Sequence, residues 1–242
     1  QVLSTTLPDG SVPANVLVGF TAGTGSLHDR HAISGVGVSA GGQAVRQPGG
    51  GWRYNGVAGM SGSDNLLTPA APNGAGSVVF GTPVKTSGLT LQFDVQLSGG
   101  NDGYGVTFAL LDPAKSSATS LGADGPRLGL GGLTGVAAIM VSKIFKGYPT
   151  SNFIATTIRS NGKVLVIQNL NRNIGPLRTG THTVGVHITS SKVLQIWLDG
   201  ELVIQQPEPR LTSTALLAFT GGTGDGFQNQ VVRDVAISAQ AP

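Results

Sequence analysis

The sequence predicts an all-β protein, an antiparallel β-sandwich of the jelly-roll type, and three observations lead to this prediction. Short runs of alternating or β-branched apolar residues recur along the chain, bounded by Gly, Pro, Asn or Ser. No segment carries a long apolar period of 3.6 residues, which argues against helices between the strands. Only 11% of the residues are charged and 38 of the 242 are Gly, a composition that suits strands and tight turns.

Ten strands are predicted from the apolar runs. They cover residues 78–80, 89–97, 104–111, 136–142, 153–158, 164–170, 182–189, 193–200, 201–206 and 215–220. Residues 89–97 alternate most cleanly, which places the five large apolar side chains at odd positions on one face. Asp199 and Gly200 form a strong two-residue turn signal, so the two runs around them are predicted to pair as a hairpin.

An internal repeat sets the predicted domain boundaries. Residues 15–40 align without a gap with residues 214–239, and in both copies an apolar run enters a Gly-Thr-Gly loop and an alternating run leaves it. Residues 1–40 are therefore predicted to resemble the end of a preceding unit, residues 41–51 to be a Gly-rich linker, and residues 52–242 to be the complete domain. Chance similarity between Gly-rich hairpins is the alternative to a tandem repeat.

Composition and charge argue against several classes of function. The net charge is only +3 and no run of Lys or Arg resembles a phosphate-binding patch, so no nucleic-acid partner is expected. The chain has no Cys, which excludes disulfides and thiolate metal sites. The sequence contains no run of 18 apolar residues, the length that would predict a membrane span. Because Gln1 is not an initiator Met, the chain is interpreted as a processed or excised piece.

Four segments are informative through their order along the chain. Residues 52–84 read as opening strands that end in a short apolar strand and a Pro, and residues 101–113 read NDGYGVTFALLDP. Residues 128–138 read LGLGGLTGVAA, and residues 216–238 contain a Gly-Thr-Gly loop before a last strand. Together they resemble the L-type (legume-type) lectins, a family with the concanavalin A-like jelly roll, in its bacterial secreted branch. The resemblance implies an extracellular carbohydrate-binding module whose partner is a polysaccharide or glycan.

The resemblance also implies a set of sugar-binding residues. They are Asp102, Gly131, Gly132, Phe145, Tyr148, Thr223, Gly224, Asp225 and Gln228. In the family, the residue matching Asp102 accepts hydrogen bonds from two sugar hydroxyls, and charge-assisted bonds of this kind are short and strong. Gly131 or Gly132 would donate a backbone N–H to the sugar, and Phe145 or Tyr148 would offer an aromatic face.

Structural alternatives stand beside these roles. An Asp between Gly-rich neighbours is also typical of a turn, where the side chain of Asp102 would bond its own backbone. Gly131 and Gly132 are equally consistent with strand geometry alone. Asp225 at a loop tip is equally explained as a solubilising residue.

The metal pair of the family is predicted to be lost. The family has a Glu, an Asp two residues later and then an Asn, whereas this chain has Met140, Ser142 and Lys146. None of these is a carboxylate, and Ca²⁺ requires several oxygen ligands. The expected binding is therefore metal-independent and without a cofactor. One hypothesis is that the ammonium group of Lys143 or Lys146 replaces the charge of the metal beside Asp102.

Catalysis is not expected. Glycosidases need two carboxylates about 5–10 Å apart, and the chain has only two Glu, Glu201 at a turn and Glu208 between prolines. His28, His31, His182 and His187 show no spacing typical of metal ligands.

A structural or adhesive, self-assembling extracellular protein is the alternative function. Residues 1–40 supply two predicted strands without the rest of their domain, and an orphan hairpin exposes edges that can pair. This segment would either pack onto residues 52–239 or complete a neighbouring chain by strand addition. The second arrangement would produce a homo-oligomer or a filament.

Overall fold

The computed structural model describes residues 38–40, 43–45, 51–142, 152–158, 166–171 and 173–238. The predictions for residues 1–37, which include the first copy of the repeat, fall outside these ranges. So do those for Lys143, Phe145, Lys146 and Tyr148.

The described residues form seventeen strands and one short 3₁₀ helix. The strands are β1 (Val38–Ala40), β2 (Gln43–Val45), β3 (Trp52–Gly56), β4 (Gly59–Ser61), β5 (Asp64–Thr68), β6 (Ala75–Phe80), β7 (Val84–Lys85), β8 (Thr90–Ser98), β9 (Gly105–Leu111), β10 (Gly135–Val141), β11 (Phe153–Ile158), β12 (Val166–Asn171), β13 (Thr181–Ile188), β14 (Val193–Leu198), β15 (Glu201–Pro207), β16 (Thr214–Gly222) and β17 (Asn229–Ser238). The 3₁₀ helix is Gly125–Arg127. No helix among the described residues is long and apolar enough to cross a membrane.

Two antiparallel sheets form the sandwich. The eight-strand sheet has the order β12-β11-β10-β9-β16-β6-β3, with β7 also paired to β16. The seven-strand sheet has the order β15-β14-β13-β8-β17-β5-β4. Strands β1 and β2 pair with each other as a separate hairpin. The predicted all-β antiparallel sandwich is confirmed, and each of the ten predicted runs contains a strand.

Local sequence signals explain these strands well. In β8, buried residues alternate with more exposed ones, so the apolar side chains at odd positions face the core as predicted. Strands β14 and β15 form the predicted hairpin. Its turn residues Asp199 and Gly200 have φ angles of 51° and 86°, the left-handed conformations of a two-residue type I′ turn.

The main hydrophobic core lies between the two sheets and takes apolar side chains from both. A group of aromatic rings, here called the aromatic cluster, runs from this core to the edge strand β3. The cluster consists of Trp52, Phe80, Phe93, Phe108 and Phe219. The rings of Phe93 and Phe219 meet edge to face, with centroids 4.8 Å apart, and such pairs are favourable beyond the area that they bury.

The eight-strand sheet is also covered on its outer face. The connection between β9 and β10 buries Leu130 among apolar residues of this face. A second outer cluster holds Leu128 beside Ile139 and Val141. All seven residues of β9 are buried as a result. This packing fixes the position of the Gly-rich segment that the sequence marks as a binding loop.

Candidate functional site

The strand register brings several connections to one end of the sandwich. Gly105, the first residue of β9, pairs with Val141 at the end of β10 and with Gly222 at the end of β16. In the other sheet, Ser98 at the end of β8 pairs with Asn229 at the start of β17. The β8–β9 and β16–β17 connections therefore leave the sandwich side by side. The β12–β13 connection lies at the same end, because β13 starts opposite the end of β8. This region is called the loop end below.

Asn101 joins the first two connections. Its backbone N–H donates to the carbonyl of Phe227 at 3.0 Å, and its side-chain amide donates to the carbonyl of Asp225 at 3.1 Å. The Phe227 N–H returns a bond to Asn101 Oδ1 at 2.9 Å. A Cβ at the neighbouring Gly100 would collide with the Phe227 carbonyl, so the close approach requires Gly there. The sequence interpretation did not single out Asn101.

Asp102 lies at the loop end in a left-handed conformation, with φ of 84°. Its side chain is 39% exposed, whereas Oδ1 is buried and has no hydrogen-bond partner among the described residues. Arg178 Nη1 lies 3.3 Å from Oδ1, close enough for an ion pair without the alignment of a hydrogen bond. The exposed polar atom of the carboxylate is therefore Oδ2. Arg178 is a site residue that sequence reasoning missed.

Buried polar side chains support these loops from below. Ser142 Oγ donates to the carbonyl of Gly103 at 3.0 Å and accepts a bond from Gln228 Nε2 at 3.0 Å. Thr223 Oγ1 accepts a bond from the Gly74 N–H at 2.8 Å, and its N–H donates to the Gly74 carbonyl at 2.8 Å. We call Ser142, Thr223, Gln228 and their partners the polar frame.

Two predicted sugar-binding residues belong to this frame. Thr223 and Gln228 are both fully buried, and their side chains bond within the protein. We assign them to loop support rather than to a solvent-facing surface. The sequence did not reveal this difference because residues between strands have no period from which their orientation follows.

The Gly-rich loop docks on the same end. The Gly125 N–H donates to the carbonyl of Thr223 at 3.0 Å. The Gly131 N–H is already used, since it donates to the carbonyl of Arg127 at 3.1 Å. Gly132 is exposed with φ of 98°, and its N–H has no partner among the described residues. Within the described part of the chain, Gly132 therefore has an unpaired N–H, but β10 begins three residues later at Gly135, which pairs with Leu111 at the end of β9 away from Asp102.

The β8–β9 connection places an aromatic ring, that of Tyr104, near this loop. A Cβ at Gly224 would lie 3.2 Å from the ring of Tyr104, and one at Gly125 would lie 3.9 Å from it. Tyr104 is half-buried and packs against the outer cluster around Leu128. Asp225 is exposed beside these residues. The signal that could have indicated Tyr104 is its place directly after Asp102 and Gly103.

The family's metal positions that the structure describes do not fit a divalent cation. Met140 is 1% exposed and packs in the main core. The Ser142 hydroxyl is engaged with Gly103 and Gln228. In the described part of the chain, no group of three His, Cys, Asp or Glu side chains could hold a metal ion.

The two Glu residues do not form a pair. Glu201 begins β15 and Glu208 directly follows its end, so they are roughly 20 Å apart along the strand. Glu208 is only 1% exposed. A glycosidase-type separation of about 5–10 Å is therefore not available to them.

Comparisons with known proteins support the fold. No family model and no curated protein sequence matches this chain. Among solved structures, the exoplasmic/lumenal domain of VIP36 in its Ca²⁺/Man3GlcNAc-bound form is similar, with a TM-score of 0.62 and 16% identity over 79% of this chain and 85% of that one. The metal-free form of lectin I-B4 from Griffonia simplicifolia has a TM-score of 0.63 and 16% identity, and the match covers 80% of this chain and 94% of that one. The basic winged bean lectin with Tn-antigen has a TM-score of 0.64 and 17% identity, and the match covers 81% of this chain and 95% of that one.

These identities are too low to transfer an activity, but the matched architecture is the same in all three structures. The two sheets described above are those of a lectin jelly roll. The chain therefore has the L-type lectin-like fold.

Proposed function

We propose that this chain is a non-catalytic carbohydrate-binding module that uses the loop end to bind a glycan. The observation that carries the proposal is the carboxylate of Asp102, which is held with one oxygen buried and the other exposed. A fixed carboxylate oxygen is a strong acceptor for sugar hydroxyls, because charge-assisted bonds exceed neutral ones in strength.

Other groups at this end complement such a ligand. Tyr104, which is half-buried beside Gly224, is the aromatic residue that we propose for contact with a sugar ring. Asp225 adds a second exposed carboxylate. The ligands in similar structures, Man3GlcNAc in VIP36 and Tn-antigen in the basic winged bean lectin, make glycans the first class to test.

Binding in this proposal requires no divalent metal. This part of the proposal is supported by Met140, because its apolar side chain packs in the core at the position where the family has a carboxylate ligand for the metal. The proposal also places the protein in the secretory pathway or outside the cell. The support there is the similarity to a domain named as exoplasmic or lumenal.

A glycan array with two matched variants tests the proposal. Wild-type protein is applied with Ca²⁺ and, separately, with a chelator, and equal binding is expected. Asp102→Asn should weaken binding at least about tenfold, since it removes the charge from the acceptor. Asp234→Asn is the control, because Asp234 is also exposed and also has a positive φ, 51°. The proposal is wrong if no glycan binds, or if both variants bind alike.

A further inference from the structure

The proposed function leaves open what holds Asp102 in place where the family would use a metal. We infer that Arg178 is a positioning residue that performs this task. Its guanidinium holds the turn at residues 99–102 so that Asp102 presents a single oxygen to the ligand. This inference rests on the proposed function for its consequence in binding, but its structural part can be tested without any ligand.

The contacts of Arg178 span the turn. Nη2 donates to the carbonyl of Gly99 at 2.6 Å, and Nη1 lies 3.3 Å from Asp102 Oδ1. The two groups are therefore joined by one planar cation. A guanidinium has several donors in a rigid fork and suits this task better than a flexible ammonium group.

Asp102 needs such support for two physical reasons. Its φ of 84° is uncommon for a residue other than Gly and persists only where the surroundings impose it. Its Oδ1 is also buried, and a buried carboxylate oxygen without a nearby cation is unfavourable. Among the described residues, Arg178 is the one that forms an ion pair with Asp102.

Among the described residues, the other side chains that bond to this turn are neutral. Asn101 fixes one side through Phe227, and Ser142 with Gln228 fixes the carbonyl of Gly103. These bonds shape the backbone but supply no positive charge. Within the described part of the chain, Arg178 therefore provides the positive charge beside Asp102, and it leaves Oδ2 exposed for sugar hydroxyls.

Hydrogen exchange on the free protein tests the structural part. The readout is the exchange rate of the amides at residues 101–103, because the Asn101 N–H depends on the turn for its bond to Phe227. Arg178→Gln should exchange about fivefold faster than wild type, the upper range for a partly exposed ion pair. Arg178→Lys should be intermediate. Arg53→Gln, which removes the same charge from an exposed site on β3, should match wild type.

Two further exchange measurements, one in 1 M salt and one with Ca²⁺, distinguish positioning of the turn by Arg178 from an effect on overall stability. In 1 M salt, wild-type exchange should approach that of Arg178→Gln, whereas the variant itself should not respond, because salt screens only an ion pair that is present. Ca²⁺ should not slow exchange in wild type. The inference is overturned if Arg178→Gln behaves like Arg53→Gln, or if Ca²⁺ protects the turn.

A binding arm on the glycan array distinguishes this inference from the proposed function. Arg178→Gln should bind about fivefold more weakly than wild type, and Arg178→Lys should recover part of the loss. If wild type binds glycan and Arg178→Gln binds equally well, the inference fails and the proposed function stands. If no glycan binds but the exchange results hold, the proposed function fails and the positioning role stands.

Discussion

The aromatic cluster and the polar frame hold the same molecule together by different means. In the cluster, Phe93, Phe108 and Phe219 fill volume between the sheets, and many apolar sequences can do this equally well. In the frame, Ser142, Thr223 and Gln228 each depend on particular partners at hydrogen-bond distance. The fold can therefore persist at about 16% identity, whereas we expect the polar frame to tolerate fewer substitutions.

The largest expected effect is the loss of a central ring from the cluster. Phe219 is 1% exposed, and its ring centroid lies within 5.7 Å of those of Trp52 and Phe93. Phe219→Ala should lower the free energy of unfolding by about 3–5 kcal/mol, because it removes buried area and leaves a cavity. Urea denaturation measures this loss. Phe219→Leu should cost much less, and an Ala variant within about 1 kcal/mol of wild type would contradict the role given to the cluster.

The next effect concerns the frame. Gln228→Leu removes the amide that donates to Ser142 Oγ and should cost about 1–3 kcal/mol, because buried polar groups lose a partner. The matched control is Gln195→Leu, since Gln195 donates to Gln205 at 2.9 Å on an exposed surface. The control should change the free energy of unfolding by less than about 0.5 kcal/mol. Equal decreases in the free energy of unfolding for the two variants would show that the polar frame stabilises the protein no more than an exposed hydrogen bond does.

The smallest effect depends on pH and concerns a carboxyl group buried in the sandwich. Burial raises the pKa of Glu208, and the bond from Gln206 and the charge of Arg210 only partly offset this. Because the pKa of Glu208 is higher in the folded state than in the unfolded state, protonation of its carboxyl group stabilises the folded protein. This contribution is fully present at pH values below the pKa of the unfolded state. It is lost as the pH rises through the folded pKa.

Glu208→Gln should therefore be more stable than wild type at pH 7, and this advantage should disappear as the pH is lowered toward 4. Thermal unfolding of both proteins across this range is the measurement. Glu201→Gln, at the exposed turn, is the control for removal of a carboxylate from the surface. An advantage that grows toward low pH would contradict the direction assigned to Glu208.

The sequence predicted the regions that repeat a local rule. The alternation in β8 and the Asp199-Gly200 turn are local patterns, so their outcome did not depend on distant residues. The position of Asp102 at a strand end followed in the same way from the run after it. Which side chains face a ligand did not follow, because the fully buried Thr223 and Gln228 lie in connections where no period applies. Arg178 was missed because its contact with Asp102 exists only once β13 pairs with β8.

The strand order has a consequence for how the molecule is made. Strand β16 lies inside the eight-strand sheet, between β9 and β6, and β17 lies inside the other sheet, between β8 and β5. On a ribosome, these two strands emerge after all the others described. Until residues 214–238 have left the exit tunnel, both sheets are split and four internal edges remain unpaired, a state prone to association. We expect folding to be largely post-translational and slow, as is usual when contacts join distant parts of a chain, and holdase chaperones to affect the yield.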